Sequence, residues 1–185
     1  MSKKTVGIVV GSLRRGSFCK MVADELSCSL EKEFVVKFID IAGLALYNED
    51  LDNESDIPEE WKRLREDVGS VDAVLFVTPE YNRSMPPLLK NALDVASRPY
   101  GSSKWNGKPG AVVSVSPGAM GGFGANHQLR QTAAFLNILM MQQPEAYIGG
   151  IAGAVGADGV TDENLKGFLS QVAGAYISWV HKLTA

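Results

Sequence analysis

Short apolar runs rich in β-branched residues recur along the chain, separated by longer segments whose apolar residues follow helical spacing. Runs of this kind, bounded by polar or glycine-containing segments, predict strands buried on both faces. Because helical segments alternate with them, we expect a parallel sheet with helices on both of its faces, an α/β fold. The five predicted strands are 6–10, 34–39, 73–77, 111–115 and 146–148.

Five helices are predicted from capping residues and apolar spacing. The glycine-rich segment 149–159 is predicted to be a loop. The residues that define the helices are, in chain order, Ser17 as N-cap of the first, Asp56 as N-cap of the second with Pro58 in its first turn, Pro86-Pro87 at the start of the third, Leu129 to Met140 for the fourth, and Thr161 at the start of the fifth.

The composition is that of a globular protein, with 45% hydrophobic and 21% charged residues. A chain of 185 residues is long enough for a sizeable core, and we predict a single domain over residues 1–185. The net charge of −3 provides no broad basic surface, so nucleic-acid or anionic-membrane binding is not expected. The first apolar run, 6–10, is far too short for a signal sequence or a membrane span.

The two cysteines, Cys19 and Cys28, both fall on the first predicted helix. Nine residues apart, they would lie about 13 Å from each other along the helix axis, whereas a disulfide needs Cα atoms within roughly 7 Å. Two free thiols favour a reducing compartment, and we expect a cytoplasmic protein. His127 and His181 have no Cys or Glu at ligand spacing, so no metal site is predicted.

Three loops that follow strands are dense in glycine, serine and asparagine: 11–17, 78–85 and 116–124. The middle loop begins where Pro79, which has no N–H to give a sheet, ends the third strand. With strand order 2-1-3-4-5, the three loops follow neighbouring strands. They are expected to converge on one crevice at the carboxyl ends of the strands, where α/β proteins bind ligands.

The first loop suits a phosphate group. Its glycines let backbone N–H groups approach an anion, and the helix behind it directs its positive end at the loop. Ser12 and Ser17 add hydroxyl donors, and Arg14 or Arg15 adds a charged, forked donor. The plainer interpretation is a capped strand–helix turn with two solvated arginines.

Other phosphate motifs are excluded. The first loop has neither the Gly-Lys-Ser/Thr of a nucleoside-triphosphate site nor the Gly-x-Gly-x-x-Gly of a dinucleotide site. Cys19 has no arginine six residues later, as a cysteine phosphatase loop would require. A position in the first helical turn can lower a thiol pKa, but we expect Cys19 to be a small packing residue.

The second loop offers the Glu80 carboxylate, the Tyr81 ring and the Asn82 amide. Together they suit a wall for a flat heterocycle, and the plainer interpretation is a proline-rich turn with a surface tyrosine. The third loop, 116–124, has four glycines, enough for a planar ligand to lie against the backbone, unless it is simply a flexible surface loop.

No hydrolytic triad is visible, because His127 has no serine or cysteine nucleophile paired with it. Glu80 and Glu145 are a candidate acid/base pair, although no motif brings them together. A site with many binding groups and no reactive side chain is typical of enzymes whose cofactor carries the chemistry.

Three segments together match a known family. They are Gly11-Ser12-Leu13-Arg14-Arg15-Gly16-Ser17-Phe18; Thr78-Pro79-Glu80-Tyr81-Asn82 with Pro86, Leu89 to Asp94 and Ser97 to Pro99; and Ser116, Gly121-Gly122 and Leu129-Arg130-Gln131. With these the chain resembles the NAD(P)H-dependent FMN reductases, including their chromate- and quinone-reducing members. The resemblance runs from the first strand to the last helix, and the second segment is the most specific.

The resemblance implies a flavodoxin-like three-layer sandwich with a five-stranded parallel sheet in the order 2-1-3-4-5. It implies non-covalent FMN, hydride transfer from NADPH or NADH, and transfer onward to quinones, flavins or other small acceptors such as chromate. A homodimer or homotetramer is also implied. The cofactor-binding residues it implies are Ser12, Arg14, Ser17, Phe18 and Cys19 for the phosphate, Pro79, Glu80, Tyr81, Asn82 and Ser116 for the ring and ribityl chain, and Leu13, Arg15 and Gly16 beside them.

The chain departs from the family pattern at two positions. Cys19 stands where asparagine is common, which suggests contact through its backbone only. Arg83 stands where an aromatic or small residue is frequent, which would alter the entrance to the flavin. Met140 and Met141 are candidates for a subunit interface, with core packing as the plainer interpretation.

Two alternatives to a reductase are a flavodoxin-type electron carrier and a flavin-free binding protein with the same fold. Flavodoxins typically clamp the ring between aromatic residues and are strongly acidic. Here Tyr81 and Phe123 are the only aromatic residues of the second and third loops, and the net charge is −3. This composition favours an open flavin face that nicotinamide can reach, and therefore the reductase. No catalytic side chain is predicted, and Glu80 and Tyr81 are interpreted as positioning groups.

Overall fold

The computed structural model describes residues 3–185, in which helices and strands alternate as the hydrophobic pattern predicts. Their bounds are β1 Thr5–Val10, α1 Phe18–Leu30, β2 Val35–Ile39, α2 Glu59–Gly69, β3 Ala73–Thr78, α3 Pro87–Ala96, β4 Pro109–Val115, α4 Phe123–Phe135, β5 Leu139–Met140, β6 Ala146–Ile148, β7 Val155–Gly156, β8 Gly159–Val160 and α5 Glu163–Thr184.

The strands β2, β1, β3, β4 and β5 form a parallel sheet in that order, which confirms the predicted flavodoxin-like topology. In the central pair, Val6 of β1 lies opposite Ala73 of β3, and Val10 lies opposite Val77. The first and third strands are therefore neighbours. The loops that follow them leave the sheet side by side, as the predicted order requires.

Alternate residues of the central strands enter two separate cores. Ile8 and Leu75 pack with α1 and α5 on one face of the sheet, whereas Val9 and Phe76 pack with α2, α3 and α4 on the other. Because successive side chains of a strand point to opposite faces, strands covered on both sides are apolar throughout. This explains why the strands appear in the sequence as unbroken apolar runs.

The fourth predicted helix is wrong at its carboxyl end. It ends at Phe135, and Leu139–Met140 forms the short strand β5. Both β5 and β6 pair with β4, one at its start and one at its end, so two short segments share the fifth strand position. Met140 and Met141 are 8% and 4% exposed, and both pack within the core clusters of this chain.

Two predicted helix starts are also wrong. The N-cap of α2 is Pro58, and Asp56 lies before it in a turn where the Asn53 side chain accepts hydrogen bonds from backbone N–H groups. The N-cap of α5 is Asp162, one residue after the predicted start, and its carboxylate accepts from the Leu165 N–H at 2.7 Å. The predicted N-cap of the first helix is confirmed, because the Ser17 hydroxyl caps α1.

The segment 149–159, predicted to be a loop, contains a 3-10 turn at Ile151–Gly153 and the strand β7, which pairs with β8 in an antiparallel ribbon. No helix in the described part of the chain is long and apolar enough to cross a membrane.

The acidic connection between β2 and α2 is anchored by a buried ion pair. Arg65 of α2 binds both carboxylate oxygens of Asp52 at 2.7 and 2.9 Å and also donates to the Val95 carbonyl at 3.0 Å. Hydrogen bonds from Arg65 hold the pKa of Asp52 below its ordinary value. The side chains of the pair are 9% and 7% exposed, so the charges satisfy each other away from solvent.

Candidate functional site

The three predicted loops meet at the carboxyl ends of β1, β3 and β4. The Gly11 N–H donates to the Val77 carbonyl at 2.8 Å, which joins the first loop to the strand that carries the second. The second loop is joined to the helix after the third, because the Ala125 N–H donates to Glu80 Oε2 at 3.1 Å. These contacts confirm the convergence inferred from strand order.

The first loop presents unused hydrogen-bond donors to solvent. Among residues 3–185, no acceptor lies within hydrogen-bonding distance and angle of any backbone N–H from Ser12 to Gly16. Neither Arg14 nor Arg15 forms an ion pair with a described carboxylate, and both are exposed. The Arg14 guanidinium lies over the Phe18 ring at 4.8 Å from its centroid. Free N–H groups beside two unpaired cations are features that suit an anion.

Ser17, Phe18 and Cys19 begin α1 behind this loop. Ser17 Oγ accepts from the Lys20 N–H at 3.3 Å, and Phe18 is half-buried beneath Arg14. Cys19 is 2% exposed, and burial raises the pKa of its thiol to about 12. The thiol is therefore protonated and belongs to the core, so a bound anion would meet the backbone N–H of Cys19 and not its sulfur.

The second loop contains a hairpin that the sequence pattern did not reveal. Tyr81 and Ser84 exchange two backbone hydrogen bonds of 2.9 Å, and the two residues between them have φ of 52° at Asn82 and 66° at Arg83. Positive φ at both central positions is the geometry of a type I′ turn. Asparagine is common in this conformation, but arginine is not, so only one of the two central residues, Asn82, is of a type that predicts the turn.

The hairpin projects its side chains outward. Tyr81 is 49% exposed, and Asn82 and Arg83 are also exposed. Pro79 is half-buried at the end of the strand. A tyrosine ring and an amide at the lip of the crevice leave a polar, partly aromatic edge that a flat heterocycle can rest against.

Glu80 and Glu145 have different partners and are not hydrogen-bonded to each other. Glu80 binds the Ala125 N–H and Arg83, whereas Glu145 accepts a hydrogen bond from the Tyr147 hydroxyl at 2.8 Å. The two carboxylates therefore do not form the candidate acid/base pair.

The third loop is held against β6. The Ser116 N–H donates to the Ile148 carbonyl at 2.8 Å, and Ser116 Oγ accepts from the Gly118 N–H at 3.1 Å. Gly121 lies against the Tyr147 backbone so closely that a Cβ there would be 2.5 Å from the Tyr147 carbonyl carbon. The loop is thus a packed support and not the flexible surface loop of the plainer interpretation.

An aromatic cluster flanks the third loop, and no sequence pattern predicted it. The rings of Phe123 and His127 lie 4.1 Å apart, and His127 Nε2 is 2.9 Å from the Tyr147 hydroxyl. Burial and the bond to Glu145 raise the pKa of Tyr147 to about 12, so this hydroxyl stays protonated.

A cleft of about 320 Å³ lies beside the first loop, lined by Ser12, Leu13 and Arg14 together with Phe38 near the end of β2. A larger one of about 820 Å³ lies between the carboxyl ends of α3 and α4, beside the segments that precede β4 and β5, and so at the opposite end of the strands from the three loops. The larger cleft is therefore separate from the candidate site. Within residues 3–185, no cluster of three or more His, Cys, Asp or Glu residues could hold a metal ion.

The residues of the three loops fit FMN. The first loop offers free N–H donors and two cations that suit a phosphate, and the hairpin and third loop offer an exposed edge and a packed support that suit a ring. Parallel strands in the order 2-1-3-4-5, with a crevice at their carboxyl ends, define a protein of the flavodoxin-like fold.

Comparison with known proteins narrows this class. Residues 4–153 match the model of the NADPH-dependent FMN reductases. A quinone reductase of Pseudomonas putida is 52% identical over 176 residues, which are 95% of this chain and 94% of that protein. A 2-hydroxy-1,4-benzoquinone reductase of a Burkholderia species is 45% identical over 95% of both chains.

Solved structures agree with the sequence comparison. FerB, a flavoenzyme NAD(P)H:(acceptor) oxidoreductase from Paracoccus denitrificans, superimposes with a TM-score of 0.90 at 42% identity, covering 97% of this chain and 98% of that one. A flavodoxin mutant from Pseudomonas aeruginosa has a TM-score of 0.60 at 18% identity over 94% and 99% of the two chains, which shows a shared fold. The chain belongs to the NADPH-dependent FMN reductase family. It is an oxidoreductase that uses FMN, with NAD(P)H as electron donor.

Proposed function

We propose that this protein is a quinone reductase that holds FMN in the crevice of the three loops and passes reducing equivalents from NAD(P)H to quinones. The observation that carries the proposal is the run of unused N–H donors from Ser12 to Gly16 beside two unpaired arginines, across the crevice from an exposed hairpin. A ligand with an anionic end and a flat end matches both features.

The first loop would bind the flavin phosphate. Backbone N–H groups and the Ser12 hydroxyl would donate to phosphate oxygens, and Arg14 and Arg15 would neutralise its charge. The Phe18 ring supports the Arg14 guanidinium from below. Cys19 would contribute only its backbone, as its family departure suggested, since its side chain is buried.

Pro79 to Asn82 and Ser116 would hold the ring system and ribityl chain. FMN, when bound, supplies the capacity to accept a hydride and to pass electrons onward. Tyr81 and Asn82 stand at an open lip, which leaves one face of a bound ring accessible to nicotinamide and then to an acceptor. The side chains orient and bind, and none is placed to act as a nucleophile.

Quinones are the acceptors that the relatives favour. The Pseudomonas putida relative carries the name quinone reductase, and the Burkholderia relative carries the name 2-hydroxy-1,4-benzoquinone reductase. Free flavins and chromate, both implied by the family resemblance, are secondary candidates. The exposed tyrosine lip also favours a planar acceptor, because a flat ring can stack where an oxyanion cannot.

An anaerobic titration tests the proposal. The purified protein should be yellow, and NADPH or NADH should bleach it; 1,4-benzoquinone should then restore the colour with one quinone consumed per nucleotide oxidised. Parallel assays with free FMN and with chromate should give a lower kcat/KM than the quinone. A yellow protein that neither nucleotide bleaches would instead support an electron carrier, and a colourless protein that takes up no FMN would support a flavin-free binding protein.

We also propose that residues 1–185 form a single FMN-binding domain that assembles as a homodimer or homotetramer in the cytoplasm. Phe135 and Tyr100, which are 85% and 88% exposed beside the larger cleft, support assembly. The free thiols of Cys19 and Cys28 support a reducing compartment. Light scattering on the purified protein checks the assembly, because a monomer at micromolar concentration would contradict it.

A further inference from the structure

Helix α4, which begins directly after the third loop, has no cap of its own. Its N-cap residue is Gly122, with φ of 77°, and no side chain of that residue can accept a hydrogen bond. The first N–H groups of a helix need an acceptor from elsewhere. Glu80 supplies one from the second loop, because its Oε2 accepts from the Ala125 N–H at 3.1 Å. A carboxylate at a helix N-terminus also interacts favourably with the helix dipole.

The same carboxylate holds the hairpin of the second loop. Glu80 Oε1 lies 3.1 Å from Arg83 Nη1, and the Glu80 side chain is only 11% exposed. A second tie runs parallel to it, since Ser84 Oγ donates to Gln128 Oε1 of α4 at 2.6 Å. Two contacts therefore join the second loop to the first turns of α4: the charged one of Glu80 with the Ala125 N–H, and the neutral one between Ser84 and Gln128.

The close approach of these two segments depends on Gly124. A Cβ at this position would lie 2.8 Å from the Arg83 carbonyl oxygen and 2.9 Å from Glu80 Oε2. Distances below 3.0 Å would force the hairpin away from the helix. The second loop and the start of α4 thus meet in one tight junction.

We propose that Glu80 is a positioning residue that sets the spacing between the second and third loops, and hence the fit of the flavin ring. Its carboxylate acts on the Ala125 N–H and on Arg83, and it neither donates a proton in the reaction nor binds the flavin through its side chain. The inference rests on the proposed placement of FMN. It predicts that the junction governs the ring end of the ligand and leaves the phosphate end unaffected.

The test compares FMN with riboflavin, which has the same ring and no phosphate. Glu80→Ala should weaken binding of both ligands by the same factor, at least about tenfold, because the contact that holds the second loop at its spacing from α4 is lost. Glu80→Gln keeps an acceptor oxygen for the Ala125 N–H and should recover part of the affinity. Arg14→Ala should weaken FMN and leave riboflavin unchanged.

Gly124→Ala supplies an independent perturbation that removes no charge. Alanine is a better helix former than glycine, so this change does not weaken α4 itself. A loss of affinity for both ligands would therefore come from displacement of the hairpin. Gly174→Ala in α5 is the matched control, because it makes the same change within a helix and its added Cβ would meet nothing within 4 Å. We expect Gly124→Ala to resemble Glu80→Ala and Gly174→Ala to resemble the wild type.

Two results would overturn the inference. One is unchanged affinity for both flavins in Glu80→Ala and Gly124→Ala, whether or not the melting temperature of the flavin-free protein falls. Glu80 would then be a helix cap and nothing more. The other is a loss of affinity for FMN in these variants with no loss of affinity for riboflavin. Failure of the wild type to bind any flavin would instead refute the proposed function, so the two failures are distinguishable.

Discussion

Replacement of Arg14 by alanine tests the phosphate site at the residue whose charge the fold leaves unused. Its guanidinium makes one long hydrogen bond, 3.4 Å from Nη1 to the Arg15 carbonyl, and lies over the Phe18 ring. The described carboxylates include none within ion-pair distance of it. Loss of the side chain should therefore leave the stability of the flavin-free protein within about 0.5 kcal/mol of wild type.

The effect on FMN affinity should be much larger. A hydrogen bond between an ionised donor and a phosphate contributes about 1.5–3 kcal/mol. At about 1.4 kcal/mol per tenfold change, the Kd for FMN should rise by roughly 10- to 150-fold. The loop is exposed, so the low end is expected at physiological salt, and the gap between variant and wild type should narrow as salt is added.

Quenching of FMN fluorescence on titration with flavin-free protein measures this Kd directly. With FMN at saturating concentration, kcat should remain close to wild type, because Arg14 is assigned to binding and not to hydride transfer. Lys104→Ala, an exposed cation in the loop before β4, is the control and should leave the Kd unchanged. A folded Arg14→Ala variant with wild-type affinity would refute the phosphate assignment.

Three further predictions concern the scaffold. Tyr176→Phe should raise the melting temperature by a few degrees in thermal unfolding, because its buried hydroxyl has no hydrogen-bond partner within residues 3–185 and its desolvation, about 1–2 kcal/mol, would be removed. Asp52→Asn should lower the free energy of unfolding, measured in urea, by about 3–5 kcal/mol, since it leaves the buried Arg65 charge unpaired. Because the folded pKa of Asp52 is lowered, the stabilisation by its ionised carboxylate is present above pH 4 and is lost as the pH falls through that folded pKa. The folded pKa of Cys19 is raised from 9.0 to about 12, so the contribution of its thiol to stability is full below pH 9 and is lost between pH 9 and 12. Cys19→Ala should therefore make the fall in stability over this pH range shallower by up to about 1.4 kcal/mol per pH unit, and an unchanged slope would contradict the burial of the thiol.

The apolar runs of the sequence were sufficient to predict the sheet. Strands such as Ala73–Thr78 are buried on both faces, so their composition alone marks them, and the order of strands and helices limits how they can connect. The Ser17 cap and the three loops at the carboxyl ends of the strands follow from local residue types in the same way. Local chemistry failed where a longer-range contact decided the outcome: Met140 left the predicted helix because β4 offered an edge to pair with.

The sequence by itself determined the alternation of strands and helices and the place of three loops at the carboxyl ends of the strands, because the burial of a strand and the chemistry of a loop are local properties. Only the tertiary structure decided which contacts the residues of those loops make. Glu80 and Ala125 are 45 positions apart along the chain, yet the Glu80 carboxylate caps the helix in which Ala125 lies. The residue type alone does not show whether this carboxylate faces a ligand, solvent, Glu145 or a helix N-terminus. Contacts between distant segments depend on how the two loops pack, and that packing is set by the whole sheet beneath them.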